Sequence, residues 1–299
     1  MAEFKRIGLV GRPGHRGVVD TLNRLLVFLS EKDVSIVVDD VTAGLIEAHG
    51  QQECTRDELS RHCDLVIVVG GDGSMLNVAK YVASDQVPVI GINRGRLGFL
   101  TDILPDEVEA RIDDVLSGNY SVESRFLLDV STIDRTPGGK PQALGSALND
   151  VVLHPGQAAQ MIEFELFIDD KFVYSQQSDG LIVATPTGST AYALSAGGPI
   201  MHPDLNAVVL VPMYPHSLNS RPIVVDGDSE IRIVVAARES LQPQLSCDGE
   251  VKYTATAGDE ILVSKKTIPL QLIHPPEHSF YQACRSKLGW GNLLVSLDD

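Results

Sequence analysis

The chain has no paired cysteines. Cys54, Cys63, Cys247 and Cys284 are scattered through 299 residues without a CxxC spacing. That pattern suits reduced thiols better than a disulfide scaffold or a cysteine zinc site. No apolar run reaches the length of a membrane span. Met1-Ala2-Glu3-Phe4-Lys5-Arg6 is not followed by an apolar core of signal-peptide length. The expectation is a cytoplasmic protein with no membrane partner. Positive charge is scarce: 24 Lys and Arg stand against 40 Asp and Glu, a formal net charge of −16. A nucleic-acid backbone needs a basic footprint, so nucleic acid is not an expected partner. Small anionic substrates remain open, provided that backbone amides, a metal or a few basic side chains meet them locally. A GxxxxGK[ST] loop is missing, which excludes phosphate binding in the P-loop manner. There is no internal repeat and no low-complexity linker. What remains is ordinary for a globular chain: 43% hydrophobic and 21% charged residues. The length suffices for one large or two medium domains.

The most informative stretch is Gly70-Gly71-Asp72-Gly73. It follows the apolar run Leu65–Val69 and leads into Ser74–Lys80, which reads as a helix. A β-branched run that ends in glycines and turns helical is the strand–loop–helix unit that binds phosphate. Glycines let N–H groups approach an anion, and the helix N-terminus adds a favourable dipole. Asp72 alone would repel phosphate, so it calls for a role as metal ligand or as general base on a hydroxyl. The plainer alternative is a tight turn whose Asp caps the helix.

Up to about Ser121 strand and helix signals alternate. Strands are expected at Ile7–Val10, Ser35–Val38, Leu65–Val69 and Val87–Ile92, and helices at Val18–Leu29 and Pro105–Leu116. Such alternation implies a parallel sheet with helices on its faces, and ligands sit beyond the carboxyl ends of its strands. After Ser121 the pattern becomes one of short strands separated by turns. These strands are Ile162–Ile168, Leu181–Ala184, Val208–Val211, Ile223–Val225, Glu230–Val235, Gln244–Cys247, Ile261–Ser264 and Leu270–Ile273. That is the texture of an all-β sandwich. One helix, Ser189–Ala196, interrupts it, and Thr136–Pro141 reads as an exposed hairpin tip.

Two further stretches carry chemistry. In Ser178-Asp179-Gly180…Thr185-Pro186-Thr187-Gly188-Ser189-Thr190-Ala191-Tyr192 a buried strand runs into a hydroxyl-rich loop and a helix start. Such a start suits an anion or a ribose, and equally an ordinary Ser/Thr cap. Asn149-Asp150 precedes a buried strand. The pair suits sugar hydroxyls, and equally a turn bonded to its own backbone.

Together these stretches resemble the bacterial NAD kinases. The GGDG loop, Gly91-Ile92-Asn93-Arg94-Gly95-Arg96-Leu97-Gly98-Phe99-Leu100-Thr101-Asp102, the Asn149-Asp150 pair, the Asp179-to-Tyr192 stretch, Ser246-Cys247-Asp248-Gly249 and Lys287-Leu288-Gly289-Trp290 follow the family order over nearly the whole chain. GGDG alone also occurs in phosphofructokinases and lipid kinases; the combination is specific.

The resemblance implies a Rossmann-like α/β domain over 1–122, completed by 275–299, and a β-sandwich substrate-binding domain over 123–274. It implies phosphorylation of the 2′-hydroxyl of the adenosine ribose of NAD by ATP, with a divalent cation, usually Mg2+, in a homodimer or homotetramer. Carried over residue by residue, Asp72 is the base and Gly73 lines its loop. Asn149 and Asp150 hold the ribose, and Asp179 the nicotinamide half. Thr190, Ala191, Tyr192, Ala193, Leu194 and Ser195 surround the adenine and carboxamide, and Phe99 packs near the adenine. Apart from the resemblance, with no P-loop in the chain, ATP phosphates are expected to meet glycine-loop amides, the metal and Arg94 or Arg96. Gln177 and Gln160 stand where the family often has basic residues, and Glu250 where Gln is usual. Two alternatives are another GGDG-loop kinase acting on a lipid or sugar, and a non-catalytic NAD sensor. The absence of a basic amphipathic helix speaks against a lipid substrate, and an intact Asp72 against a pure sensor.

Overall fold

The computed structural model describes residues 4–47, 49–95, 98–133, 141–156, 160–236 and 242–290. In chain order the strands are β1 (Arg6–Gly11), β2 (Ser35–Asp39), β3 (Gln52–Cys54), β4 (Leu65–Gly70), β5 (Val89–Asn93), β6 (Ser121–Arg125), β7 (Leu128–Ile133), β8 (Pro141–Ala147), β9 (Asp150–His154), β10 (Ile162–Ile168), β11 (Lys171–Ser178), β12 (Gly180–Ala184), β13 (Ala207–Met213), β14 (Ile223–Asp226), β15 (Ile231–Val235), β16 (Gln244–Cys247), β17 (Glu250–Thr254), β18 (Glu260–Lys265) and β19 (Leu270–His274). The helices are α1 (Arg16–Ser30), α2 (Asp40–Ala43), α3 (Leu59–His62), α4 (Asp72–Val82), α5 (Val108–Leu116), α6 (Tyr192–Ser195) and α7 (Phe280–Leu288). Among the described residues no helix is long and apolar enough to cross a membrane. The chain divides into two compact units, 1–124 with 269–299, and 125–268.

The first unit is built on a sheet ordered β3-β2-β1-β4-β5-β19-β6. The pairs β1–β2, β1–β4, β2–β3, β4–β5 and β5–β19 are parallel. Strand β4 is buried along its whole length, as a central strand covered on both faces must be. Helix α1 buries Val18, Leu22, Leu25 and Leu29, the helical spacing of an apolar stripe against the sheet. Each such side chain stabilises the fold by about 1.5–3 kcal/mol. The chain runs outward in opposite directions from the β1/β4 pair, which makes their carboxyl ends, Gly11 and Gly70, a topological switch point. Helix α5 follows a 3₁₀ turn at Pro105–Glu107 and stops before Gly118, whose φ is +86°. Strand β19, expected in the second domain, pairs instead with β5 in the first sheet, so the return to the first unit comes at 269. Its apolar run looks like those before it, and only pairing decides the sheet.

The second unit has two six-stranded sheets, ordered β11-β10-β15-β18-β7-β8 and β14-β13-β12-β9-β16-β17. The registered pairs in both are antiparallel, and one apolar core joins them. Phe164, Leu166, Ile233 and Val263 come from one sheet, and Val151, Leu153, Val183 and Leu210 from the other. This is a sandwich. The second sheet also buries its other face, where Ile182, Val209 and Val211 meet Ala193 and Met201. The expected helix at Ser189–Ala196 is a 3₁₀ turn at Gly188–Thr190 followed by the short α6. Residues 136–140 of the expected hairpin tip lie outside the described residues, as do Arg96 and Leu97.

Candidate functional site

The expected site residues fall into two groups, one on each unit. In the first unit β4 ends at Gly70, and Asp72 opens α4 at the switch point. Gly71 is the N-cap, and no side chain caps the helix, so Asp72 is not a capping residue. Its carboxylate is tied elsewhere. Oδ2 accepts from Phe99 N at 2.8 Å, and Oδ1 from Leu100 N at 3.1 Å and Thr101 Oγ1 at 3.3 Å. Lys287 of α7 donates Nζ–H to Oδ2 at 3.2 Å, and its ammonium lies 4.6 Å from the Phe99 ring centroid.

Asn93–Gly95 and Gly98–Thr101 are shaped for this contact. Buried Asn93 donates to Thr101 Oγ1 at 2.9 Å and accepts from Gly95 N at 2.7 Å. Gly98 is required: a Cβ there would collide with Asp72 Oδ1 and Thr101 Oγ1. Gly73 is exposed, with open space where a Cβ would point. Arg94 is not turned toward the loop's anion position. Its Nε donates to the Gly17 carbonyl at the start of α1, and its backbone N–H to Gly70 O.

In the second unit Asn149 and Asp150 enter β9. They do not form a self-bonded turn. Asp248, in the left-handed region at φ +49°, accepts from Leu148 N at 2.8 Å, Asn149 N at 2.7 Å and Asp150 N at 3.2 Å. Asp150 is 5% exposed. Burial, reinforced by the neighbouring Asp248 charge, pushes its carboxyl up to about 7. Such a group can both donate to and accept from a hydroxyl near neutral pH, a property that clusters at binding sites.

The Thr185–Thr190 loop packs onto this pair. Thr185 N donates to Asn149 O at 2.9 Å and Thr185 Oγ1 to Leu148 O at 2.6 Å. A Cβ at Gly188 would collide with Asn149 O. The hydroxyls that read as open to a ligand serve the loop itself. Ser189 donates to Pro186 O at 2.6 Å, Thr190 to Thr187 O at 3.2 Å, and Thr187 accepts from Arg125 at 3.3 Å.

Other expected residues are more open. Tyr192 is 51% exposed and Ser195 is exposed, whereas Ala193 is buried and Ala191 and Leu194 are half-buried. Asp179 is half-buried, with its N–H bonded to Met213 O at 2.9 Å. Gln177 donates to Glu163 at 3.2 Å, Gln160 is exposed, and Glu250 pairs with Lys252 at 2.6 Å. Sequence reasoning missed Lys287 and Asp248 as site residues. Both lie in quoted motifs, but the partners are 215 and about 100 residues away.

This chain is similar to known proteins along most of its length. Residues 7–120 match the ATP-NAD kinase N-terminal domain and residues 148–275 the ATP-NAD kinase C-terminal domain. The NAD kinases of Pseudomonas aeruginosa and Azotobacter vinelandii are each 57% identical over 294 residues, 98% of this chain and 99% of theirs. That of Pseudomonas putida is 56% identical over 299 residues, the whole of both chains. A yeast NADH kinase complexed with NADH superposes with a TM-score of 0.87 at 26% identity, covering 96% of this chain and 88% of that one. An NAD kinase from Archaeoglobus fulgidus in complex with ATP gives a TM-score of 0.73 at 25% identity, covering 95% and 97%.

Proposed function

The chain belongs to the NAD kinase family, and we propose that its chemistry runs as follows. The 2′-oxygen of the adenosine ribose of NAD attacks the γ-phosphorus of ATP. The new O–P bond forms as the bond to the β-phosphate oxygen breaks, and ADP leaves. The ribose hydroxyl is a very weak acid, and phosphoryl transfer passes through a loose transition state. Its proton therefore leaves late, to Asp72, which orients the hydroxyl beforehand.

The observation that carries this reading is the Asp72 carboxylate, placed at the switch point and held from four sides. A carboxylate has about four lone-pair positions, and four donors fill them. A substrate hydroxyl must displace one donor. The exchangeable one is the Lys287 ammonium, since the other three are buried in the 99–101 loop or belong to its backbone. Ser74 N–H already bonds the Gly71 carbonyl at 2.8 Å, and the Asp72 and Gly73 amides ahead of it, at the start of α4, suit phosphate oxygens.

The divalent cation is magnesium, arriving with the ATP phosphates. Phosphate oxygens and water are a donor set this ion accepts; Asp72, with its exchangeable position given to the ribose hydroxyl, would not hold it directly. When bound, the ion neutralises phosphate charge. Asn149 and Asp150 bind the ribose; the near-neutral carboxyl of Asp150 supports that assignment. Phe99 and the Thr190–Ser195 segment serve the adenine and carboxamide, and Asp179 the nicotinamide half. Gln160, Gln177 and Glu250 border the dinucleotide.

The enzyme acts in the cytoplasm, which the four buried free cysteines support. It is a homodimer or homotetramer, which the exposure of Tyr214 (80%) and Leu218 (91%) on the second unit supports. The test is NADP formation from NAD, ATP and magnesium, with a diacylglycerol and a hexose phosphate offered in parallel. Phosphorylation of NAD alone is the expected result. Phosphorylation of either other acceptor, or NAD binding without turnover, would overturn it.

A further inference from the structure

Away from the Asp72 loop, the first unit holds a second polar cluster built around the buried His274. It joins Asp102, directly after Phe99–Thr101; Glu123, on β6; His274, at the end of β19; and His278, before α7. His274 is fully buried, and its ring stacks on His278 with centroids 3.7 Å apart and planes 16° apart. The Nδ1 atoms of both rings lie at one oxygen, Asp102 Oδ2, at 2.9 and 2.8 Å. Both Nε2 atoms face the Glu123 carboxylate, at 3.6 Å from His274 and 3.7 Å from His278.

The two ends of this stack differ. At the Asp102 end the spacing is that of a hydrogen bond. A carboxylate that accepts Nδ1–H fixes the imidazole tautomer and turns the Nε2 lone pair outward, which is how metal-ligating histidines are held. At the Glu123 end the spacing is too long for a hydrogen bond, and His274 Nε2 has none. A buried imidazole nitrogen without a partner is costly. Two neutral rings would aim their lone pairs at this carboxylate and be repelled unless a cation lies between, either a proton on each ring or one shared metal ion. Ligand atoms about 2.0–2.1 Å from one tetrahedral ion stand about 3.4 Å from each other, close to the observed spacing.

We propose that His274 Nε2, His278 Nε2 and the Glu123 carboxylate bind a divalent transition-metal ion of the Zn2+ class, with Asp102 as the group that orients both rings. Two imidazoles select zinc, cobalt or nickel over magnesium, so this ion is distinct from the one that accompanies ATP. It leaves a coordination position for water. An ion lies in the plane of each ring that binds it, so loading fans the stacked rings apart. The site ties together the elements that hold Asp72: Asp102 directly follows Phe99–Thr101, and His278 leads into α7, which carries Lys287. Its role is to pin the carboxyl-terminal segment to the loop.

Zn2+ titrated calorimetrically into chelator-treated full-length protein tests the site, with Mg2+ as the control ion. One Zn2+ per chain is expected, with a rise in unfolding temperature that Mg2+ does not reproduce. In Glu123→Gln and His278→Gln the affinity should fall about tenfold or more. The imidazole 15N resonances of His274 and His278 in the wild-type protein give a second reading that needs no variant. Their Nε2 shifts should move to metal-bound values on Zn2+ addition. Absence of uptake, equal uptake in both variants, or Nε2 shifts that stay those of protonated rings would overturn the proposal.

Discussion

Asp150→Asn keeps the shape of a buried side chain and removes its ionisation. In the folded wild-type protein burial and the Asp248 charge raise the Asp150 carboxyl from 3.8 to about 7. The folded state therefore holds a proton that the unfolded chain has already lost between about pH 4 and pH 7. For a carboxyl raised in this way, stability falls as pH rises through that window. The full cost, about 3 units at about 1.4 kcal/mol each, is on the order of 4 kcal/mol and is complete above pH 7. Between pH 5 and pH 8 the wild type should lose about 3 kcal/mol that Asp150→Asn does not lose. Urea unfolding of both proteins at several pH values, followed by far-UV circular dichroism, measures this. Fluorescence would not serve, because the single Trp290 lies in the other unit. The difference between the two profiles isolates Asp150 from the other titrating groups. Parallel profiles would refute the idea of a buried carboxyl that pays for its charge. The same variant should bind NAD more weakly, by about 1–3 kcal/mol, with ATP binding kept.

Gly98→Ala forces a Cβ into Asp72 Oδ1 and Thr101 Oγ1, so kcat should drop on the order of 10²-fold while the circular dichroism of the fold is kept. Lys287→Met removes an exchangeable ion pair worth at most about 1 kcal/mol and should leave steady-state turnover within about tenfold of wild type. A loss on the scale of Asp72 removal would make Lys287 a participant in the chemistry. Gln177→Arg would place a guanidinium beside Glu163, the present partner of Gln177. That pairing mutes the new charge, so the ratio of kcat/KM for NAD to that for NADH should shift against NAD by less than about tenfold. An unchanged ratio with unchanged affinities would remove Gln177 from the site.

Much of this architecture is legible in local sequence. The period-two pattern of β10, the unbroken β-branched run of β4 and the 3.6-residue stripe of α1 are each set by neighbours within one element. GGDG is legible for the same reason: strand, glycine turn and helix are contiguous. Contacts over long sequence separations leave no such trace. Asp72 reads as a carboxylate beside phosphate, but its four donors come from the 99–101 loop and from Lys287. Asp248 reads as a turn residue, yet its side chain shapes the backbone that carries Asn149 and Asp150. The hydroxyls of Thr185–Thr190 look like ligand groups because sequence does not tell an inward hydroxyl from an outward one. The stacked His274 and His278 meet Asp102 across 172 and 176 residues, which no spacing rule reaches.

The central claim is that Asp72 performs the chemistry and not only the binding. Asp72→Asn is nearly isosteric, although its one carbonyl oxygen accepts from only one of the Phe99 and Leu100 amides, which bond different oxygens of Asp72. Single-turnover formation of NADP from enzyme-bound NAD, with saturating ATP and magnesium, separates the chemical step from affinity. The account predicts a rate lower by about 10²–10⁴, with NAD affinity and fold unchanged. A rate near that of the wild type would contradict it, as would a loss explained wholly by weaker NAD binding.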